Sequence, residues 1–244
     1  MRPTDRRRLR RGLTRAQSYR SLVAMARVST EPVSALRRYV DSGHGEYPWT
    51  TTLRTPVGRV SVTLPHSHDV RTVNEVFCRH DYGSGVPRVV VDVGANIGVA
   101  SLYFLSRDPQ VRVHAYEPVP ANLTALRTNL APFADRVVVD ERAVSPAGGP
   151  AEFLIEDVGR YSGLAEFYEH DLERRSVVME TVALADLLDA VFEAEGRIDL
   201  LKIDTEGSEA ALVAAIRPDQ WARIGEVRYE LAGHVQVGQP PGPR

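Results

Sequence analysis

The sequence predicts an α/β fold, a mostly parallel sheet with helices on both faces. Three observations predict it. Val89–Val93 and Ile198–Ile203 are near-continuous apolar runs, the pattern of strands buried on both faces. Stretches with apolar residues at helical spacing, such as Leu184, Leu187, Leu188 and Val191, alternate with those runs. Turn residues separate the two kinds of segment, which is the rhythm of strand–helix–strand units.

The elements follow in order. Residues 1–45 form a basic N-terminal segment, helical in part and ending at Asp41-Ser-Gly-His-Gly45. Residues 46–87 form a hairpin and helix extension. Its strands are Thr50–Arg54 and Arg59–Leu64 around the turn Pro56-Val-Gly58, and its helix lies over 69–80 with Val70, Val73, Val76 and Phe77 on one face. The core spans 88–236. Strand Val89–Val93 leads through Gly94–Gly98 into a helix at Val99–Ser106, then strand Val111–Tyr116. Pro118 and Pro120 mark the next helix start, with Leu123, Leu126 and Leu130 as its stripe. Strand Arg136–Val139 follows. Ala151–Ile155 and Val177–Val182 read as an inserted antiparallel pair. A helix ended by Gly196, strand Ile198–Ile203, a helix over Glu206–Ile216 and strand Ile224–Glu230 complete the core. The tail 237–244 is rich in Gly and Pro and is expected to be flexible.

Composition limits the function classes. The chain has 244 residues, 43% hydrophobic and 25% charged, as ordinary globular domains have. Its net charge of -2 is unevenly spread, because residues 1–40 hold eleven Arg against Asp5 and Glu31 and the remainder is acidic. A basic arm of this kind suits an anionic partner or a solvated helix; with no interleaved aromatics beyond Tyr19 among its clustered arginines and only Tyr39 at its end, the solvated helix is preferred and nucleic acid is not expected. No run approaches the roughly 20 apolar residues of a membrane span. Cys78 is the single cysteine, so no intrachain disulfide can form. A cytoplasmic location with no membrane contact is expected.

Ligands of parallel sheets sit beyond the carboxyl ends of the strands, at the point where strand order reverses. Three segments lie there. The first is Asp92-Val-Gly94-Ala95-Asn96-Ile-Gly98. Gly94 permits a sharp turn, the helix behind it offers N–H groups, and the Asp92 carboxylate suits a ligand carrying an ammonium group. The second is Glu117-Pro118, 23 residues beyond Gly94, where an acid is placed to accept both hydroxyls of a ribose. A dinucleotide fingerprint needs a second glycine for the pyrophosphate, and Gly-x-x-x-Gly lacks it. This favours S-adenosylmethionine over NAD. The third is Lys202-Ile-Asp204-Thr-Glu206-Gly-Ser-Glu209. Alternation puts Lys202 and Asp204 on one side of the strand. Polar residues in a buried strand need a reason, and a partly buried ion pair or a functional role would each supply one. The Glu residues suit the start of the next helix. Asp204, Glu206 and Glu209 supply oxygen atoms, but no His/Cys cluster points to zinc and no metal is expected.

Taken together, Val-Asp-Val-Gly-Ala-Asn-Ile-Gly, Tyr-Glu-Pro-Val-Pro-Ala-Asn and Leu-Leu-Lys-Ile-Asp-Thr-Glu-Gly-Ser-Glu, in that order, resemble the FkbM family of methyltransferases over about residues 69–234. The resemblance implies a class I methyltransferase fold, Rossmann-like, and methyl transfer from S-adenosylmethionine, usually to an oxygen of a sugar or natural-product scaffold. It implies that Asp92, Gly94, Asn96 and Gly98, with Ala95 between them, line the methionine side. It implies that Glu117 holds the ribose beside Pro118 and Asn122, and that Arg142 and Ala143 lie near adenine. Asp69 and Tyr82 resemble residues of the family's entry segment. For catalysis, Asp204 is read as the base or the group that orients the acceptor hydroxyl, with Lys202 tuning its charge and Glu206 beside it.

Two departures stand out. The family ends its fifth strand with Glu-x-His, whereas Tyr229-Glu230-Leu-Ala-Gly-His234 stretches that spacing, so His234 is read as a surface residue. The fold adds two strands after the fifth, and the short Gly/Pro-rich remainder predicts that they are missing. The sheet is then expected to end on an open edge, covered by the N-terminal strands or by another copy in a homo-oligomer. A protein that binds the cofactor but is catalytically impaired, and an NAD-dependent oxidoreductase, are the alternatives.

Overall fold

The structure, a computed structural model, describes residues 16–155, 163–165, 175–231 and 234–240. The run Arg6–Arg11 and most of the segment between the inserted strands lie outside the described residues. The chain divides into two compact units, Met1–Ser84 with Ser106–Pro109, and Gly85–Leu105 with Gln110–Arg244.

The first unit contains helices α1 (Ala16–Val28) and α2 (Pro32–Val40), a hairpin of β1 (Trp49–Thr55) and β2 (Gly58–Leu64), and α3 (Asp69–Val73). The hairpin pairs Trp49 with Leu64 through Thr55 with Gly58, and its inward residues Leu53, Val60, Val62 and Leu64 are buried. The helix expected over 69–80 is broken in two. After α3 the backbone loosens into a π-helical turn, Asn74–Cys78, that still buries Val76 and Phe77. The Arg38 guanidinium stacks on the rings of Tyr47 and Trp49, 4.9 and 4.6 Å from their centres. Burial pushes the Cys78 thiol up to about 12, so it stays a neutral apolar filler.

The second unit is built on a six-stranded sheet. Its strands are β3 (Val89–Val93), β4 (Arg112–Tyr116), β5 (Val137–Asp140), β10 (Ile198–Ile203), β11 (Ile224–Leu231) and β12 (His234–Gly238), in the order β12-β11-β10-β3-β4-β5. All pairs are parallel except β11 with β12. The chain runs from β3 outward to β4 and β5, and later from β10 outward to β11. The reversal of order therefore falls between β3 and β10.

Alternation decides what each face carries. Val89, Val91 and Val93 share one core with Leu184, Leu187, Leu188, Val191 and Phe192 of α6 (Leu184–Glu195) and Leu212 of α7 (Glu209–Ala215). Burying those side chains contributes about 1.5–3 kcal/mol each. Asp92 and Lys202, paired in register, point to the opposite face, where α4 (Val99–Leu105) packs. Helix α5 (Pro120–Leu130) starts on a proline and connects β4 to β5. Gly196 ends α6 with φ +81, a C-cap that glycine adopts without steric cost.

The expected inserted antiparallel pair is present as β7 (Gly149–Ile155) and β9 (Arg175–Ala183), in a separate sheet with β6 (Ala143–Ser145) and β8 (Gly163–Leu164), in the order β6-β9-β7-β8. Two expectations are corrected. The helix expected from Glu206 begins only at Glu209, because Glu206 and Gly207 both take positive φ. The central sheet does not end at its fifth strand. His234–Gly238 turns back along β11, pairing Leu231 with His234 through Val227 with Gly238, and reaches into the stretch expected to be a loose tail.

Candidate functional site

The carboxyl ends of β3 and β10 meet at the reversal of strand order, and the backbone there is packed without room for side chains. Gly94 has φ +76, and a Cβ on it would lie 1.9 Å from the Asp204 carbonyl oxygen. The Asp204 N–H donates to the Val93 carbonyl at 3.0 Å. Gly98 answers to a different constraint, because at φ +82 it lies under Leu126 and Leu130 of α5, 3.3–3.4 Å from where a Cβ would be. The two glycines of the motif thus serve two contacts, one to β10 and one to α5.

The loop between them binds itself to the next strand. Gly94 and Ala95 N–H both donate to the Tyr116 carbonyl at 3.0 Å, and Gly98 N–H donates to the Ala95 carbonyl. Asn96, at φ +52, donates its N–H to Glu117 Oε2 at 2.8 Å. The loop amides expected to be open to an anionic ligand are therefore engaged within the chain at these positions. A pyrophosphate would have to displace Glu117, a carboxylate, from its amide partners.

Glu117 is buried at the end of β4. Its other oxygen accepts from Val119 N–H at 2.9 Å and from Asn122 Nδ2 at 3.2 Å. Burial raises its carboxyl pKa, while these hydrogen bonds and the Lys202 charge work in the other direction. Pro118 is half-buried beside it, and Asn122 lies in the first turn of α5. Ala143 is buried in β6 with Val119, Phe153 and Leu164, an apolar cluster next to the Glu117 loop. Arg142 is exposed and grips Asp140, with its NH2 group 2.6 Å from Oδ2. Burial works to raise the Asp140 carboxyl, but the Arg142 guanidinium outweighs it and holds the pKa below the usual carboxylate range.

Asp92 is 0% exposed, and both its oxygens have partners inside the chain. Oδ1 accepts from Lys202 Nζ at 2.8 Å and Oδ2 from Ser101 Oγ at 2.7 Å. This differs from the expectation of a carboxylate turned toward a ligand's ammonium group. Lys202 is equally buried, and its Nζ also reaches the Gly94 carbonyl at 3.1 Å and Asp204 Oδ2 at 3.5 Å. Burial alone would lower its pKa, but Asp92 and then Asp204 more than offset this and raise it. Lys202 is thus a fixed cation that neither gives nor takes a proton at neutral pH.

Asp204 is the exception in this group, with its side chain 26% exposed. The turn after it is held by Glu209, whose carboxylate accepts from Thr205 N–H at 2.8 Å and from Gly207 N–H at 2.9 and 3.0 Å. Glu206 sits in that turn at φ +56, half-buried. His234 lies exposed on β12.

Sequence reasoning missed Ser101 and the tie made by Glu209. Ser101 is the one polar side chain without a ring in the buried helix Val99–Leu105, and a buried hydroxyl needs a partner. Glu209 looked like a helix-start acid, and only the turn geometry shows which amides it holds. The residues brought together are Asp92, Gly94, Lys202 and Asp204 on one side and Asn96, Glu117 and Asn122 on the other. The acidic excess of the set suits a cationic nucleoside and opposes a phosphate-bearing one.

The family model described as the methyltransferase FkbM domain matches residues 92–233. The chain is similar to 31-O-demethyl-FK506 methyltransferase FkbM of Streptomyces tacrolimicus, 30% identical over 214 residues that cover 74% of this chain and 81% of that protein. It is similar to methyltransferase sdnD of Sordaria araneosa, 28% identical over 186 residues, 64% of this chain and 72% of that one. A solved methyltransferase, SAH-bound PaMTH1 of Podospora anserina, aligns at 15% identity and a TM-score of 0.34 over 68% of this chain; the chain spans 52% of that structure.

Proposed function

The chain belongs to the FkbM family of S-adenosylmethionine-dependent methyltransferases, and we propose that its acceptor is a hydroxyl on a sugar or natural-product scaffold. The observation that carries this reading is Asp204, a partly open carboxylate at the reversal of strand order beside the buried Asp92 and Lys202. A hydroxyl is a weak nucleophile and gains from a base within hydrogen-bond reach. The Streptomyces relative is, by its name, a methyltransferase for an O-demethyl compound.

When bound, S-adenosylmethionine supplies a methyl carbon activated by its sulfonium centre. In this reading Glu117 accepts the ribose hydroxyls, with Asn96 and Asn122 fixing the carboxylate from either side and Pro118 closing the turn. Gly94, Ala95 and Gly98 shape the methionine side, and Arg142 and Ala143 flank the adenine. Asp92 supports this side from beneath. Asp204 receives the acceptor's hydroxyl proton on a carboxylate oxygen and releases it to solvent. Glu206, one turn residue away, holds the acceptor by a further hydroxyl. The rival reading as an impaired binder drew on the absence of two strands after the fifth, and β12 supplies one of them.

The test is incubation with methyl-labelled S-adenosylmethionine and a panel of polyhydroxylated acceptors, read by mass spectrometry. The expected product carries one labelled methyl on oxygen. Label on nitrogen or carbon, or release of S-adenosylhomocysteine with no labelled acceptor, would count against it.

A further inference from the structure

Lys202 is the only lysine in a chain with 29 arginines, and it is placed where an arginine would not serve. An ammonium carries three protons on a single nitrogen. Here that nitrogen has Asp92 Oδ1 at 2.8 Å, the Gly94 carbonyl at 3.1 Å and Asp204 Oδ2 at 3.5 Å. These acceptors come from three places, the body of β3, the loop after it, and the end of β10. A guanidinium is planar and longer, with donors spread over a fork, and it cannot converge on them from the same buried socket. The socket is closed from behind by Ser101 of α4, which donates to the second oxygen of Asp92 at 2.7 Å. Asp92, Ser101 and Lys202 are all buried, and of the connected side chains Asp204 reaches solvent.

We propose that Lys202 is a positioning residue for methyl transfer: it fixes the Gly94 loop and the Asp204 carboxylate relative to one another, and Asp92 and Ser101 are its socket, not contacts to the cofactor. The loop belongs to the cofactor side of the site and Asp204 to the acceptor side, so a single buried cation sets the distance between them. The part concerning Asp204 rests on the role proposed above for that residue. The part concerning the Gly94 carbonyl rests only on the cofactor role proposed for its loop.

Removing Lys202 alone would leave the Asp92 carboxylate buried without its counter-charge, and the fold itself would suffer. The test therefore uses the pair Asp92→Asn with Lys202→Met, which removes both charges at similar volume. The pair is expected to melt near the wild type, to bind S-adenosylhomocysteine about tenfold more weakly, and to lose about 100-fold in kcat, the scale of a small misplacement of reacting groups. Lys202→Arg is expected not to restore kcat. A pair that folds, binds and turns over like the wild type would reduce Lys202 to a counter-ion and overturn the proposal.

A second measurement needs no variant. With lysine labelled at its side-chain nitrogen, the chain gives one ammonium resonance, and S-adenosylhomocysteine is expected to shift it through the Gly94 carbonyl. A resonance that does not move on saturation would overturn the link to the loop. If Asp204→Ala keeps full turnover, the acceptor reading fails by itself, and the binding loss of the pair still tests the loop half.

Discussion

At the amino end of the central sheet, Glu195 accepts from Arg112 Nε at 2.8 Å and lies 3.1 Å from His114 Nε2, and Asp199 accepts from the N–H groups of Arg88 and Val89 at 2.8 and 3.0 Å. At the carboxyl end, Asp92, Lys202 and Glu117 are as well paired. Both ends therefore carry satisfied charges, and charge alone does not mark the site. Non-glycine residues at positive φ, Asn96 and Glu206, separate them. Gly94, Asn96, Gly98, Glu206 and Gly207 all hold positive φ around the ends of β3 and β10. For the non-glycine residues that conformation costs roughly 1–2 kcal/mol each, a strain the surrounding hydrogen bonds must hold in place. The amino end closes strands. The carboxyl end keeps a strained loop pressed against the backbone of Asp204, whose carboxylate is partly open to solvent.

Substitutions at the two ends should separate stability from binding. The largest effect is expected for Gly94→Ala at the carboxyl end. The new Cβ would meet the Asp204 carbonyl at 1.9 Å, so the loop and the end of β10 must part. Calorimetric titration should show S-adenosylmethionine affinity reduced by more than about 100-fold, close to 3 kcal/mol. Near wild-type affinity would mean that the loop tolerates displacement and that its fit to β10 is incidental. A smaller effect, of a different kind, is expected for Asp199→Ala at the amino end. Two backbone donors lose their acceptor, and denaturant unfolding should show a loss of about 1–3 kcal/mol. The kcat of the folded protein should stay at the wild-type value. A large fall in kcat would join the two ends into one functional network and break the comparison.

Much of this was legible in the sequence, for physical reasons. Val89–Val93 and Ile198–Ile203 are buried on both faces, so their residues announce strands without any partner being known. Gly196 ends α6 where the chain needs a left-handed residue, and glycine fits that position. The spacing of Gly94, Glu117 and Asp204 from their strand ends pointed to a candidate site at the carboxyl end of the sheet, because topology sets where a parallel sheet can hold a ligand. What stayed hidden depends on long-range pairing. Asp92 and Lys202 lie 110 positions apart, so nothing local reveals that the Asp92 carboxylate faces inward. The strand His234–Gly238 is short and set among Gly and Pro, and its pairing with β11 overrides a composition that reads as loose. Glu206 reads as helical, yet Glu209 binds the amides of the turn and holds Glu206 out of the helix.

The central claim is that Asp204 serves the acceptor while the loops of β3 and β4 serve the cofactor. Asp204→Ala, assayed for turnover and titrated with S-adenosylhomocysteine, tests it most directly. Loss of a positioned base predicts kcat lower by about 10²–10⁴-fold, with S-adenosylhomocysteine affinity close to that of the wild type. Unchanged turnover, or a cofactor affinity that collapses along with it, would contradict the claim.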